Sequence, residues 1–222
     1  MAAQAVVSAR LVALMVRAML VLGVPLSSPQ RVAFAGAALP DVLRARRQSY
    51  ALSVRYMRFT ADRAGITLPD VAGLPEYRAD AVVKVLERVT APLEPDVPVD
   101  ARVVGDNVGA NLARHAQQAG RDTVQRTAES APERIGWART LTGKENCAFC
   151  SLLASRGPVY GAKGVRFLAH DHCDCVPELV VKGEDWDGRE QYERLSDLWA
   201  SSTRRKSGKA ARKAFAEALA SA

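Results

Sequence analysis

All four cysteines of this chain fall in one 29-residue window, and two of its three histidines fall there with them. The window reads Cys147-Ala-Phe-Cys150, then nineteen residues, then His170-Asp-His172-Cys173-Asp-Cys175. A CxxC turn followed by a compact His/Cys cluster is how a chain builds a tetrahedral zinc site. The first turn offers two thiolates, the second cluster offers the rest, and the metal closes a loop that local sequence cannot close. Cys147, Cys150, Cys173 and Cys175 make an all-thiolate set. His170 could replace Cys173 or Cys175, and His172 is the weakest candidate because it adjoins Cys173. A closed four-ligand site leaves no open position for chemistry, so the zinc is expected to be structural. Two disulfides would need an oxidising compartment, and no secretory signal is read at the N-terminus. A redox CxxC would need a βαβ context, which the pattern lacks. Plain buried thiols are the bland alternative.

Around this window the chain reads as mainly α. The expected order is an elongated helical N-terminal region, a small α+β zinc-binding knot and a basic helical C-terminal tail. Hydrophobic residues make up 48% of the 222, which excludes a fully disordered chain. Aromatic content of only 6%, with abundant Ala, favours helix over sheet. The expected divisions are 1–65, 66–132, 133–182 and 183–222. A first apolar helix ends before Pro25. Arg10 and Arg17 interrupt it, and both would be costly at bilayer depth, so a partner-packing helix is expected rather than a membrane span. Its apolar face is read as Val7, Leu11, Leu14, Met15, Ala18 and Leu22. Docking on a partner through this face would leave a folded, zinc-loaded chain when residues 1–24 are deleted.

Ser27-Ser28-Pro29 opens a short second helix, and Pro40-Asp41 a long third one that stops at Gly65. Arg44, Arg46, Arg47, Arg55, Arg58 and Arg63 give that helix a basic strip. Further helices are expected over about 78–90 and 100–130, the latter with Val104, Val108, Leu112, His115 and Ala119 on one stripe. His115 is read as a packing or surface residue. After Pro132 the character changes. Ile135–Thr142 has strand-like content and leads through Gly143-Lys144 to the first cysteine pair. A short helix over Ser151–Ser155 follows, then a hairpin at Val159-Tyr160 between the turns at Gly157-Pro158 and Gly161–Gly164. Val165–Leu168 leads into the second cluster and Pro177–Val181 leaves it. An amphipathic run through Tyr192, Leu195, Leu198 and Trp199 precedes Thr203–Lys213, which holds six basic residues and no acidic one. Such a run reads as a solvated, partly disordered tail, or as a phosphate-binding one. The formal charge of +7 fits some affinity for polyanions.

The segment Ile135–Pro177 resembles the minor head proteins of tailed phages that are named after protein F of phage Mu. The elements that carry the resemblance are Arg139-Thr140 in a strand, Cys147 and Cys150, Gly157 and Tyr160 in a turn, then His170, Cys173, Cys175 and Pro177. The resemblance implies a non-enzymatic virion protein inside the head near the portal, and in the host cytoplasm during assembly. It implies several copies, structural Zn2+, and contacts with the portal protein, the major capsid protein and packaged double-stranded DNA. Two rivals stand beside it. One is a zinc-stabilised module binding DNA or protein, without an evident recognition helix. The other is an HNH-like endonuclease built on Asp171, His172 and Pro177, which lacks a downstream histidine.

Overall fold

The computed structural model describes residues 2–221 apart from 69, 95, 133, 143–146, 161–164, 168, 171, 172 and 174. The chain is mainly helical. Its elements are α1 (Ala2–Leu22), α2 (Ser28–Arg63), α3 (Asp80–Thr90), α4 (Ala101–Ser130), β1 (Ile135–Thr140), α5 (Ala148–Ala154), β2 (Val159–Tyr160), β3 (Val176–Val181), α6 (Arg189–Ser202) and α7 (Gly208–Ala220). Two compact units form, one built on Met1–Arg55 and Gly73–Thr123, the other on Tyr56–Ala72, Val124–Ala169 and Cys173–Ala222.

The first unit is helical. Val7, Leu11, Met15 and Met19 recur every fourth residue of α1 and bury against Phe34, Val42, Val82, Leu86, Val108 and Leu112. This stripe is narrower than the face read from sequence, for Leu14 and Leu22 stay exposed and Met19 takes the place inside. Length and composition alone would let α1 cross a membrane. Its arginines, Arg10 and Arg17, both lie on the exposed side. The approach to α4 is close. A Cβ on Gly105 or Gly109 would come within 2.6 Å of the Cα of Val16 or Val12, respectively. Two glycines four apart let the helix backbones touch. So one stripe of α1 belongs to this core, which speaks against residues 1–24 as a detachable docking helix.

Ser27 caps α2 as half of a capping box. Its Oγ accepts from Gln30 N at 3.4 Å, and Gln30 Oε1 accepts from Ser27 N at 2.8 Å. The break expected at Pro40 does not occur, and one 36-residue helix runs through it. Pro40 removes one i→i−4 bond, but Ala35, Ala38, Val42 and Ala45 on both sides bury in one core. Tertiary burial outweighs that lost bond. Arg46 leaves the expected basic strip as well. It is buried, donates to the carbonyls of His115 (2.8 Å) and Pro75 (2.9 Å), and lies 4.4 Å from the Tyr77 ring centroid. His115 packs as expected, with Nδ1 2.9 Å from the Tyr77 hydroxyl.

In the second unit a three-stranded antiparallel sheet has the order β2-β1-β3. β1 is central and all six of its residues are buried. β2 is no local hairpin; it pairs with β1, Trp137 facing Val159. β1 and β3 pair from Ile135 opposite Val181 to Thr140 opposite Val176. Ile135, Trp137 and Leu179 join one apolar cluster, and Ala138 and Val180 join another on the opposite face. The basic helical tail expected at the C-terminus is α7, which takes in the basic run from Gly208 onward, and its Phe215 packs edge-on against Trp199 of α6 at 5.3 Å. Its basic residues lie on the exposed side, while Ala211 and Phe215 are buried and Leu219 packs on the same core.

Candidate metal centre

Two-residue periodicity builds the site. On β3, Pro177 and Leu179 share the face of Arg139 and Trp137, their register partners on β1. Cys173 and Cys175, just before β3, have the same parity, so an extended chain presents both thiols to that face. The other cysteine pair comes from α5. The helix starts earlier than expected, at Ala148, because Cys147 is its N-cap and its sulfur accepts from Cys150 N at 3.3 Å.

The thiols converge on Cys150. Its Sγ lies 3.6 Å from Cys173 Sγ and 3.7 Å from Cys175 Sγ, with Cys173 and Cys175 2.7 Å apart. Cys147 Sγ is also within 4.8 Å of Cys150 Sγ. Four sulfurs bound tetrahedrally at about 2.3 Å stand about 3.8 Å apart, so two of the three short separations already match and the third must widen. All four are free thiols, and Cys150, Cys173 and Cys175 are buried among Trp137, Leu152, Phe167 and Leu179. The donor set therefore fits a thiophilic cation such as Zn2+.

Electrostatics explain why the cluster calls for a cation. Hydrogen bonds to Cys173 and Cys175, then burial, push the Cys150 thiol far up. For Cys175 the hydrogen bond with Cys150 pulls downward, but the Cys173 contact and burial outweigh it and leave the thiol pushed up to about 11. Neutral thiols packed this closely gain by exchanging protons for a metal.

Of the remaining candidates, His170 is exposed, and a nitrogen of its ring forms with the sulfurs of Cys147 and Cys150 a second group of ligand atoms that all lie within 4.8 Å of one another. His172 and Asp171 lie outside the described residues, as do Gly143-Lys144 and the Gly161–Gly164 turn. Gly157 has φ of +73°, and a Cβ there would come 2.6 Å from the Tyr192 ring, which explains glycine at that turn.

Sequence reasoning missed the shell around the sulfurs. Arg139 is buried, its Nη1 donates to Cys175 Sγ at 2.6 Å, and its guanidinium lies 3.8 Å from the Phe167 centroid. Gln125 of α4 pins the loop ahead of the second cluster. Its Nε2 donates to Val165 O at 2.6 Å, and its Oε1 accepts from Phe167 N at 2.8 Å. On the other face, Thr140 donates to Glu178 Oε2 at 2.7 Å. Glu178 also accepts from the backbone N–H of Asp187 and Gly188. Strand alternation could have signalled that Arg139 and Thr140 serve opposite faces; Gln125 carries no sequence signal.

The chain has relatives among known phage proteins. The chain is 30% identical to the Gene 15 protein of Mycobacterium phage D29, over 39% of this chain and 44% of the relative. It is 27% identical to the Gene 15 protein of Mycobacterium phage L5, over 32% and 38%. The chain thus matches less than half the length of these curated phage relatives. No solved structure matches it. A family model described as VG15 protein matches residues 31–202, which takes in α3, α4, the sheet, the thiol cluster and α6. By that match, over most of its length, the chain belongs to the VG15 protein family.

Proposed function

We propose that this is a non-enzymatic minor capsid protein of a tailed phage, of the Mu protein F-like kind, stabilised by one structural zinc. Its place is inside the head near the portal, and in the host cytoplasm during assembly, with roles in head assembly and in DNA packaging or ejection. The observation that carries the reading is the buried thiol cluster set against Arg139 on β1. The Arg-Thr strand, the CxxC and the closing Cys-x-Cys follow one another in the order of the Mu F-like signature, and the matched relatives are phage gene products. Cys147, Cys150, Cys173 and Cys175 would hold the metal, with His170 the alternative fourth ligand; bound zinc would supply cross-linking only. The outward apolar residues of α1, including Val6, Leu14 and Leu20, support contact with a portal or major capsid partner. Mass spectrometry and metal analysis of purified particles test the reading. The chain should be present with about one zinc per copy; particles lacking it would overturn the assignment.

Contact with packaged DNA has separate support. Arg204, Arg205, Lys206, Lys209, Arg212 and Lys213 are all exposed around the α6–α7 turn, and Arg47, Arg55 and Arg58 are exposed on α2. Such charges bind phosphates without reading sequence, and the binding falls steeply with salt. Neutralising both the six α6–α7 residues and the exposed α2 arginines should release the protein from immobilised duplex DNA at low salt. Unchanged retention would assign the charge to solubility or protein contacts.

A further inference from the structure

The geometry points to Arg139 as the positioning residue of the metal centre: its N–H edge orients the Cys175 sulfur and thereby fixes Cys175 in the ligand set. The inference rests on the zinc reading above and adds to it which thiol binds and what keeps it in place.

Arg139 is 4% exposed, and a guanidinium stays charged wherever it sits, so it must find an anionic or strongly accepting partner. Its Nη1 lies 2.6 Å from Cys175 Sγ and 4.0 Å from Cys150 Sγ. The flat face of the group is covered by Phe167, whose backbone N–H is itself fixed by Gln125. With the face covered, the N–H edge is left to address sulfur. The strand supplies the rest of the constraint. Arg139 is opposite Pro177 in register, and Cys175 is two residues further along the same face. A cluster of four thiolates around Zn2+ carries two excess negative charges, and a buried cation against one sulfur offsets part of them. A lysine would keep the charge but would lose the planar edge that stacks on Phe167 while donating sideways.

The test uses the full chain and Zn2+ itself, with affinity read by competition against a chelator. Replacing Zn2+ by Co2+ reports thiolate ligation through charge-transfer absorption. Arg139→Gln should weaken Zn2+ binding about 10- to 100-fold, the range for loss of an outer hydrogen-bond partner. Arg139→Lys should fall between Gln and wild type. Cys175→Ser should lose about a quarter of the cobalt charge-transfer intensity if four thiolates bind. Wild-type affinity in Arg139→Gln, or an unchanged cobalt spectrum in Cys175→Ser, would overturn the inference. If Arg139→Gln does not fold, Arg139→Lys and Cys175→Ser decide it by the same readings. Wild-type protein without stoichiometric metal would overturn the zinc reading itself, whereas a loaded wild type beside an unaffected Arg139→Gln overturns only this role of Arg139.

Discussion

Glu178 shows how much a single buried charge constrains this molecule. Burial holds its carboxyl above the usual carboxylate range, against the hydrogen bonds from Thr140 and from the N–H groups of Asp187 and Gly188. A folded value above the unfolded one means that the native state binds the proton more tightly. Between the two values the folded protein carries more protons, so stability rises as pH falls through the raised value towards the ordinary one. The cost of burying the charge is fully present above the raised value. Urea midpoints should therefore increase on mild acidification from neutral pH, and Glu178→Gln should flatten that slope. A wild-type midpoint that falls over the same interval would contradict it. The partners of Glu178 were not legible in the sequence, because Gly188 and Thr140 are 48 residues apart and only the β1–β3 register brings them together. The cysteines were legible because metal ligands must cluster locally to form a CxxC or Cys-x-Cys. What encloses them was not, since Gln125 and Phe167 meet across 42 residues.

At the scale of elements, local signals succeeded where the backbone itself decides. The Ser27–Gln30 capping box, the Asp100 Oδ1 that accepts from Arg102 N, and the strand at Ile135 all follow from residue chemistry within a few positions. One local signal failed. Pro40 reads as a break from local chemistry alone. Burial overrode it, through Ala38 and Val42. The uninterrupted α2 leads to a prediction. Pro40 is exposed, so its only structural consequence is the missing hydrogen bond and the ring against the preceding turn. A proline in a helix interior is about 3 kcal/mol worse than alanine. Its restriction of the unfolded chain returns about 0.4–1 kcal/mol, and the helix already tolerates the ring. Pro40→Ala should then stabilise the first unit by up to about 2 kcal/mol, measured by chemical denaturation. A destabilised variant would mean that a kink at Pro40 is required by the packing of α2.

At the scale of the whole molecule, the two cores differ in kind, and each is expected to fail under a different perturbation. The first unit relies on apolar burial, with four α1 residues in its core. At about 1.5–3 kcal/mol each, they contribute roughly 6–12 kcal/mol, which rivals the total stability of an ordinary domain. Deleting residues 1–24 should therefore unfold the first unit, seen as loss of amide protection across α3 and the first half of α4. Retained protection there would restore the view of α1 as a detachable anchor. The second unit has a smaller sheet of three strands, two of six residues and one of two, and its core includes three of the four thiols. A structural zinc is worth about 10–16 kcal/mol of apparent binding energy, more than such a core can supply without it. A strong chelator should thus abolish protection in β1, α5 and β3 while leaving α1 and α3 protected, since no cysteine belongs to the first core. Hydrogen exchange with and without chelator reads both outcomes in one experiment. Protection in β1 and β3 that survives complete metal removal would mean that the thiols pack as ordinary core residues, and that the cluster does not hold this unit together.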